Sequence, residues 1–173
     1  KENYFKNKIN YFRLTEYPHT LNINLSQIIS GQGIRIKEGH DITIAVAGSQ
    51  LRTVLNSNEL LSNLGISAEI IYYHTFKPFD REVLFSSVSK TRKLLVVEEL
   101  SNHDGLFNQC IRSIVGLNDL KVDNIAIEDF IHGYGSYLEL CKRVGLTPEN
   151  ISEKARRLLI NEQLPLNKIS AIG

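Results

Sequence analysis

The 173-residue chain contains no methionine and opens on Lys1. A start site supplies a methionine unless processing removes it, so the expectation is a fragment of a longer polypeptide. Surplus charge is also missing. The formal net charge is +1, without the electrostatic footprint that nucleic acid or an anionic membrane surface requires. No apolar run approaches the roughly 20 residues of a membrane span, and no segment has the layout of a secretory signal. Cysteine is scarce: Cys110 and Cys141 stand 31 residues apart, both on apolar helical stripes. That spacing suits neither a disulfide framework nor a metal site. It predicts two buried free thiols in a reducing compartment, the cytoplasm. What remains is 42% hydrophobic and 23% charged, enough apolar material for the core of one domain with a short appendage.

Four apolar, β-branched runs read as short buried strands: DITIAVAG (41–48), AEIIYYHT (68–75), KLLVVEE (93–99) and NIAIED (124–129). GIRIKEG (33–39) adds an edge strand. Between them lie helical stripes: Leu51, Val54, Leu55, Leu61 and Leu64, ended by Gly65; Val83, Leu84 and Val88; Phe107, Cys110, Ile111 and Ile114. Two more follow the last strand. One carries Tyr137, Leu140, Cys141 and Val144 and ends at Gly145. The other carries Ile151, Ala155, Leu158 and Leu159 and opens on Thr147-Pro148-Glu149. Strands alternating with helices predict an α/β fold of three layers, an open, mostly parallel sheet with helices on both faces. The first thirty residues stand outside this rhythm. INYFRLTEYPH (9–19) reads as a further strand followed by a proline-bearing linker, and LSQIISGQG (25–33) as a turn region.

Ligands of open parallel sheets sit beyond the carboxyl ends of the strands. Here those ends carry Ser49, His74, Thr75, Glu98, Glu99, Glu128 and Asp129, an acidic rim that repels phosphate unless a metal intervenes. No metal-ligand spacing is present, and the expectation is that these side chains cap helices and bind loop amides. Gly133-Tyr134-Gly135-Ser136 follows a strand and opens a helix. It is a candidate anion-binding turn through Gly133, Gly135 and Ser136, set against a turn that needs glycine's backbone freedom. No Gly-x-Ser-x-Gly elbow accompanies Ser49, and no catalytic residue is assigned. In HTFKPFD (74–80), Pro78 ends the strand by removing Lys77 from helical geometry, and Asp80 stands where a helix N-cap belongs, with Glu82 in the first turn. Lys77, Pro78 and Asp80 are therefore a structural corner rather than a catalytic loop.

DITIAVAGSQL, GISAEIIYYHTFKPFD, SVSKTRKLLVVEEL and GLTPENI stand in this order, and together they resemble the C-terminal domain of the transketolase family over roughly residues 34–160. That family includes transketolase, deoxyxylulose phosphate synthase and the beta subunits of 2-oxo acid dehydrogenases. The resemblance implies a Rossmann-like sheet that stabilises the dimer and contributes little to the cofactor, thiamine diphosphate with magnesium. The family's Gly-Asp-Gly diphosphate motif is absent from this chain, and the activating glutamate belongs to a domain this sequence lacks. The resemblance thus implies thiamine diphosphate in a parent enzyme that transfers two-carbon or acyl units, no cofactor in this chain, and a homodimer or an upstream transketolase-like domain or subunit as partner.

By the same resemblance, residues 1–20 hold the last strand of a preceding pyrimidine-binding domain, 21–33 form a linker and 34–173 are the C-terminal domain. Transketolases place there a Leu-Ser-Arg-Gln segment whose arginine holds the sugar phosphate. Aligned on Leu14-Thr15, that position is Glu16 here, and Arg13 lies three residues earlier. Either Arg13 serves instead or the substrate lacks a phosphate at that point. A free-standing module binding a small ligand or a protein is the alternative.

Overall fold

The computed structural model describes residues 9–15, 17, 23–101, 105–129 and 131–160. Five strands form one sheet: β1 (Ile34–Lys37), β2 (Ile42–Ala47), β3 (Ala68–Tyr73), β4 (Lys93–Ser101) and β5 (Lys121–Ile127), in the order β1-β3-β2-β4-β5. β2 pairs in parallel with β3 and β4, and β4 with β5; β1 runs antiparallel to β3 at the edge. β2 and β3 are buried along their whole length, which is why their sequences run apolar without alternation. β5 begins at Lys121, three residues before the predicted start. As an edge strand it tolerates half-buried Asp123 and Asn124, so its first half shows no apolar run.

Among the described residues, five α-helices cover the two faces. Leu51, Val54 and Leu61 of α1 (Gln50–Asn63), Cys141 of α4 (Tyr137–Arg143) and Ile151 and Ala155 of α5 (Pro148–Leu159) pack with Ile42, Ile44, Val46, Ile70, Leu95 and Val97. On the opposite face, Leu84 and Val88 of α2 (Arg81–Thr91) and Leu106, Cys110 and Ile114 of α3 (Leu106–Ser113) pack with Ala45, Ala47, Ile71, Tyr73, Leu94 and Val96. Successive strand residues point to opposite faces, so each buried strand feeds both cores. The two cysteines are buried free thiols, one in each core, and the sheet between them excludes a disulfide. Gly65 (φ +74°) and Gly145 (φ +76°) end α1 and α4 in the left-handed region. This lets Ile66 N–H reach the Leu61 carbonyl at 3.0 Å and Leu146 N–H the Cys141 carbonyl at 2.9 Å.

Of the stretch 9–19, expected as a strand followed by a linker, residues 9–15 and 17 are described. Residues 9–15 have no strand assignment; a strand exists only with a neighbour to exchange backbone bonds, and none of the described strands pairs with this segment. Its apolar side chains Ile9, Tyr11, Phe12 and Leu14 are exposed. Residues 1–8, 16, 18–22 and 161–173 lie outside the described residues, so Glu16 and the ends of the expected domain boundaries do too.

The chain leaves β2 toward β3 on one side and crosses from β3 back to β4 on the other. Strand order therefore reverses between β2 and β4, and a crevice opens at their carboxyl ends.

Candidate functional site at the β2–β4 crevice

The corner after β3 is built from local bonds. Asp80 caps α2 by accepting the Val83 amide at 3.2 Å, and its other oxygen accepts the Gly33 amide at 3.0 Å, tying the linker to the helix start. Tyr73 donates its hydroxyl to the Asp80 carbonyl at 3.1 Å, and its ring stacks on Phe79 with centroids 4.4 Å apart. His74 Nδ1 meets Thr75 Oγ1 at 2.9 Å, and partial burial lowers the imidazole's pKa and keeps it neutral. Lys77 is exposed. His74, Lys77 and Asp80 share no hydrogen-bonded arrangement, and Asp80 has its oxygens on backbone amides.

Glu98 and Glu99 of the acidic rim turn to opposite faces. Glu98 is fully buried and accepts the amides of Leu106 at 2.6 Å and Phe107 at 2.9 Å. It satisfies the start of α3, whose own N-cap, Gly105, has no side chain to do so. Burial raises the Glu98 carboxyl above its ordinary range, against the pull of those two amides and of the Arg13 charge. Its proximity also adds to the burial that holds the Cys110 thiol protonated.

Glu99 turns the other way, into the crevice. One of its oxygens, Oε1, accepts from Ser49 Oγ, from Tyr137 Oη and, at 2.9 Å, from Gln50 Nε2. Gln50 is fully buried and shares its amide protons further with Tyr137 Oη at 2.9 Å and Cys141 Sγ at 3.6 Å. Burial, then the bond to Glu99, pushes the Tyr137 phenol up and keeps it a donor. The entering segment lies over this cluster. Arg13 donates Nη2 to the Glu99 carbonyl at 3.2 Å, and Tyr17 stacks on Tyr137 with centroids 4.0 Å apart and planes inclined by 18°. Arg13, Leu14, Thr15, Tyr17, Glu99 and Tyr137 line an open cleft of about 510 Å³.

The expectation that rim residues cap helices holds for Glu98 and fails for Ser49. Ser49 sits at the N-cap of α1 yet makes no capping bond, because its hydroxyl goes to Glu99. That departure from local rules marks the crevice. Sequence reading missed Gln50 and placed Tyr137 only as a member of an apolar stripe. The Glu98-Glu99 doublet was the available signal, since adjacent strand residues must face opposite ways.

At the glycine turn, Ser136 and Glu139 form a capping box. The Ser136 amide and hydroxyl each donate to Glu139 Oε2 at 2.8 Å, and Ser136 Oγ accepts the Glu139 amide at 3.4 Å. The turn's own carboxylate thus takes the place an anion would take. A Cβ on Gly135 would stand 3.3 Å from that oxygen, and one on Gly133 would stand 2.5 Å from the Arg143 guanidinium. The box fixes the first turn of α4, where Tyr137 is the first residue.

Residues 31–151 match the transketolase C-terminal domain family. The chain belongs to that family. It is 31% identical over 126 residues to a protein of Methanocaldococcus jannaschii described as a transketolase C-terminal section, covering 72% of this chain and 39% of that one. A 1-deoxy-D-xylulose-5-phosphate synthase of Heliobacterium modesticaldum is 28% identical, with 87% and 23% covered. A 6-deoxy-6-sulfo-D-fructose transketolase subunit of a Clostridium species is 27% identical, with 86% and 46% covered. A solved split-gene transketolase, an inactive beta4 tetramer, superposes with a TM-score of 0.71 at 26% identity over 76% of this chain and 43% of that one. The chain therefore spans less than half the length of each of these relatives.

Among the described residues no group of three His, Cys, Asp or Glu side chains could hold a metal ion. Glu98 and Glu99 are turned apart and engaged with amides and hydroxyls. No helix among the described residues is long and apolar enough to cross a membrane.

Proposed function

We propose that this chain is the C-terminal, non-catalytic, dimer-stabilising part of a transketolase-like enzyme that depends on thiamine diphosphate and transfers two-carbon or acyl units. The observation that carries the reading is the family match over 31–151 in a chain spanning less than half of each relative. The groups that bind cofactor and metal then come from preceding domains or from a separate subunit, a division supported by relatives named as a transketolase subunit and a split-gene transketolase. The described residues contribute two packed cores, a capped corner and an entering segment that carries Arg13.

Arg13 is exposed at the cleft with a guanidinium suited to an anionic group. Relatives named for a phosphorylated product and a sulfonated sugar fit a substrate with such a terminus. Arg13 is accordingly the residue of this chain proposed to hold it.

The test is to isolate the native polypeptide or complex that carries this sequence from source cells and assay it for two-carbon transfer from a ketose donor. Activity that disappears without thiamine diphosphate and magnesium, together with inactivity of the purified 173-residue chain, is the expected result. A native species of this chain's own size, indifferent to thiamine diphosphate, would overturn the reading.

A further inference from the structure

The crevice where an open α/β sheet ordinarily takes a ligand is covered in this molecule by its own entering segment. We propose that the β2–β4 crevice is the seat of that segment, and that Tyr137, Glu99, Ser49 and Gln50 are positioning residues that set where Arg13 stands. The role given to Arg13 rests on the function proposed above; the seat itself does not.

Three observations build the seat. Ser49, Gln50 and Tyr137, from two different helix starts, converge on one oxygen of Glu99. A carboxylate gripped by three donors has little rotational freedom, so the Glu99 main chain is held as well, and its carbonyl is the acceptor that Arg13 meets at 3.2 Å. The same bonds pin the Tyr137 phenol and turn one ring face outward, where Tyr17 lies at 4.0 Å. Arg13 and Tyr17 thus reach two members of a single network from points four residues apart.

Charge fits as well. The Arg13 charge also acts on the buried Glu98 carboxyl, pulling against the burial that raises its pKa, so the arginine is attracted to the rim electrostatically in addition to its hydrogen bond. Fixing Arg13 before substrate arrives removes ordering entropy from the binding step. The seat therefore acts on the binding of an anionic substrate and leaves the chemical step alone.

The seat is tested first in the chain itself. The sequence contains no tryptophan, so Tyr17→Trp creates a single reporter. Its emission is expected to be that of a ring stacked in an apolar contact, and to shift to that of a solvated indole when Tyr137→Leu or Arg13→Ala is added. Arg13 is exposed, so the Arg13→Ala variant keeps the test decisive if Tyr137→Leu fails to fold. Emission of a solvated indole in the Tyr17→Trp chain, unchanged by either second substitution, would overturn the seat.

The positioning role is tested in the native enzyme with Tyr17→Ala and Glu99→Gln. KM for an anion-bearing donor is expected to rise on the order of 3- to 10-fold, the scale of a lost aromatic contact, while kcat and the KM for a neutral donor stay put. Equal changes for both donors, or none for either, would overturn the positioning role. An enzyme without thiamine-diphosphate-dependent activity would instead remove the functional reading and leave the seat to be judged by the fluorescence alone.

Discussion

The corner after β3 and the crevice between β2 and β4 stand at the same edge of one sheet, yet they are organised on different principles. At the corner, residues within one short stretch satisfy one another: Asp80 caps the helix that follows it, and Tyr73 bonds the Asp80 carbonyl. The one distant partner, the Gly33 amide, is a backbone group. In the crevice, residues 13, 17, 49, 50, 99 and 137 meet only because the strand order reverses there. A corner of the first kind shapes the chain. An assembly of the second kind can join segments and domains. The difference teaches that polar residues at a sheet's carboxyl edge do not announce their role by type; what separates them is whether their partners are local.

The substitution with the largest expected effect on stability removes the Glu98 side chain. Glu98→Ala leaves the Leu106 and Phe107 amides without their acceptor, and the loss is expected to be about 2–3 kcal/mol, measured by urea denaturation. The same carboxyl carries a pH signature. Its folded pKa is raised, so the folded chain keeps a proton that the unfolded chain has released. Stability contributed by this group is full below the ordinary glutamate pKa and falls as pH rises through the raised value. Glu98→Gln should flatten that slope. A slope unchanged by the substitution would place the titration elsewhere.

Asp80→Ala comes next, at about 1–2 kcal/mol for the lost helix cap, with the tie to Gly33 lost as well. This local lesion should leave the Tyr17–Tyr137 contact intact. Tyr137→Phe is expected to cost least, about 1 kcal/mol for one hydrogen-bonding hydroxyl. It keeps the ring that Tyr17 stacks on, yet frees one donor from Glu99. If Asp80→Ala disturbed the Tyr17 contact more than Tyr137→Phe, the distinction between local corner and long-range seat would break.

How much of this was legible follows the same division. β2 and β3 could be read because both of their faces are buried, so their apolar runs are unbroken. Asp80 could be read as a cap because an N-cap is defined by residues three positions away. Ser49 misled, since by type and place it should cap α1 and instead bonds Glu99, fifty residues on. Tyr137 looked like one member of an apolar stripe, and only the fold shows its hydroxyl in the crevice. Glu69 was equally silent. It is fully buried in β3 and paired with Arg35 of the edge strand at 2.8 Å and with Lys90 of α2. A charge that looks misplaced in an apolar run is stabilised by partners from two other elements. The segment at 9–15, expected as the last strand of a preceding domain, has no pairing partner among the described residues.

On the proposed function, this chain supplies architecture and an arm to a larger enzyme, and none of the chemistry. The most direct measurement is kcat of the native enzyme at saturating donor with His74→Gln, Lys77→Ala, Asp80→Asn and Glu98→Gln introduced one at a time, folding being checked by thermal melts. Each variant is predicted to stay within about threefold of the parent, because no group that moves a proton has been lost. A well-folded variant whose kcat fell by the roughly 10²–10⁴-fold of a missing general acid or base would contradict the claim and put a catalytic residue at the edge of this sheet.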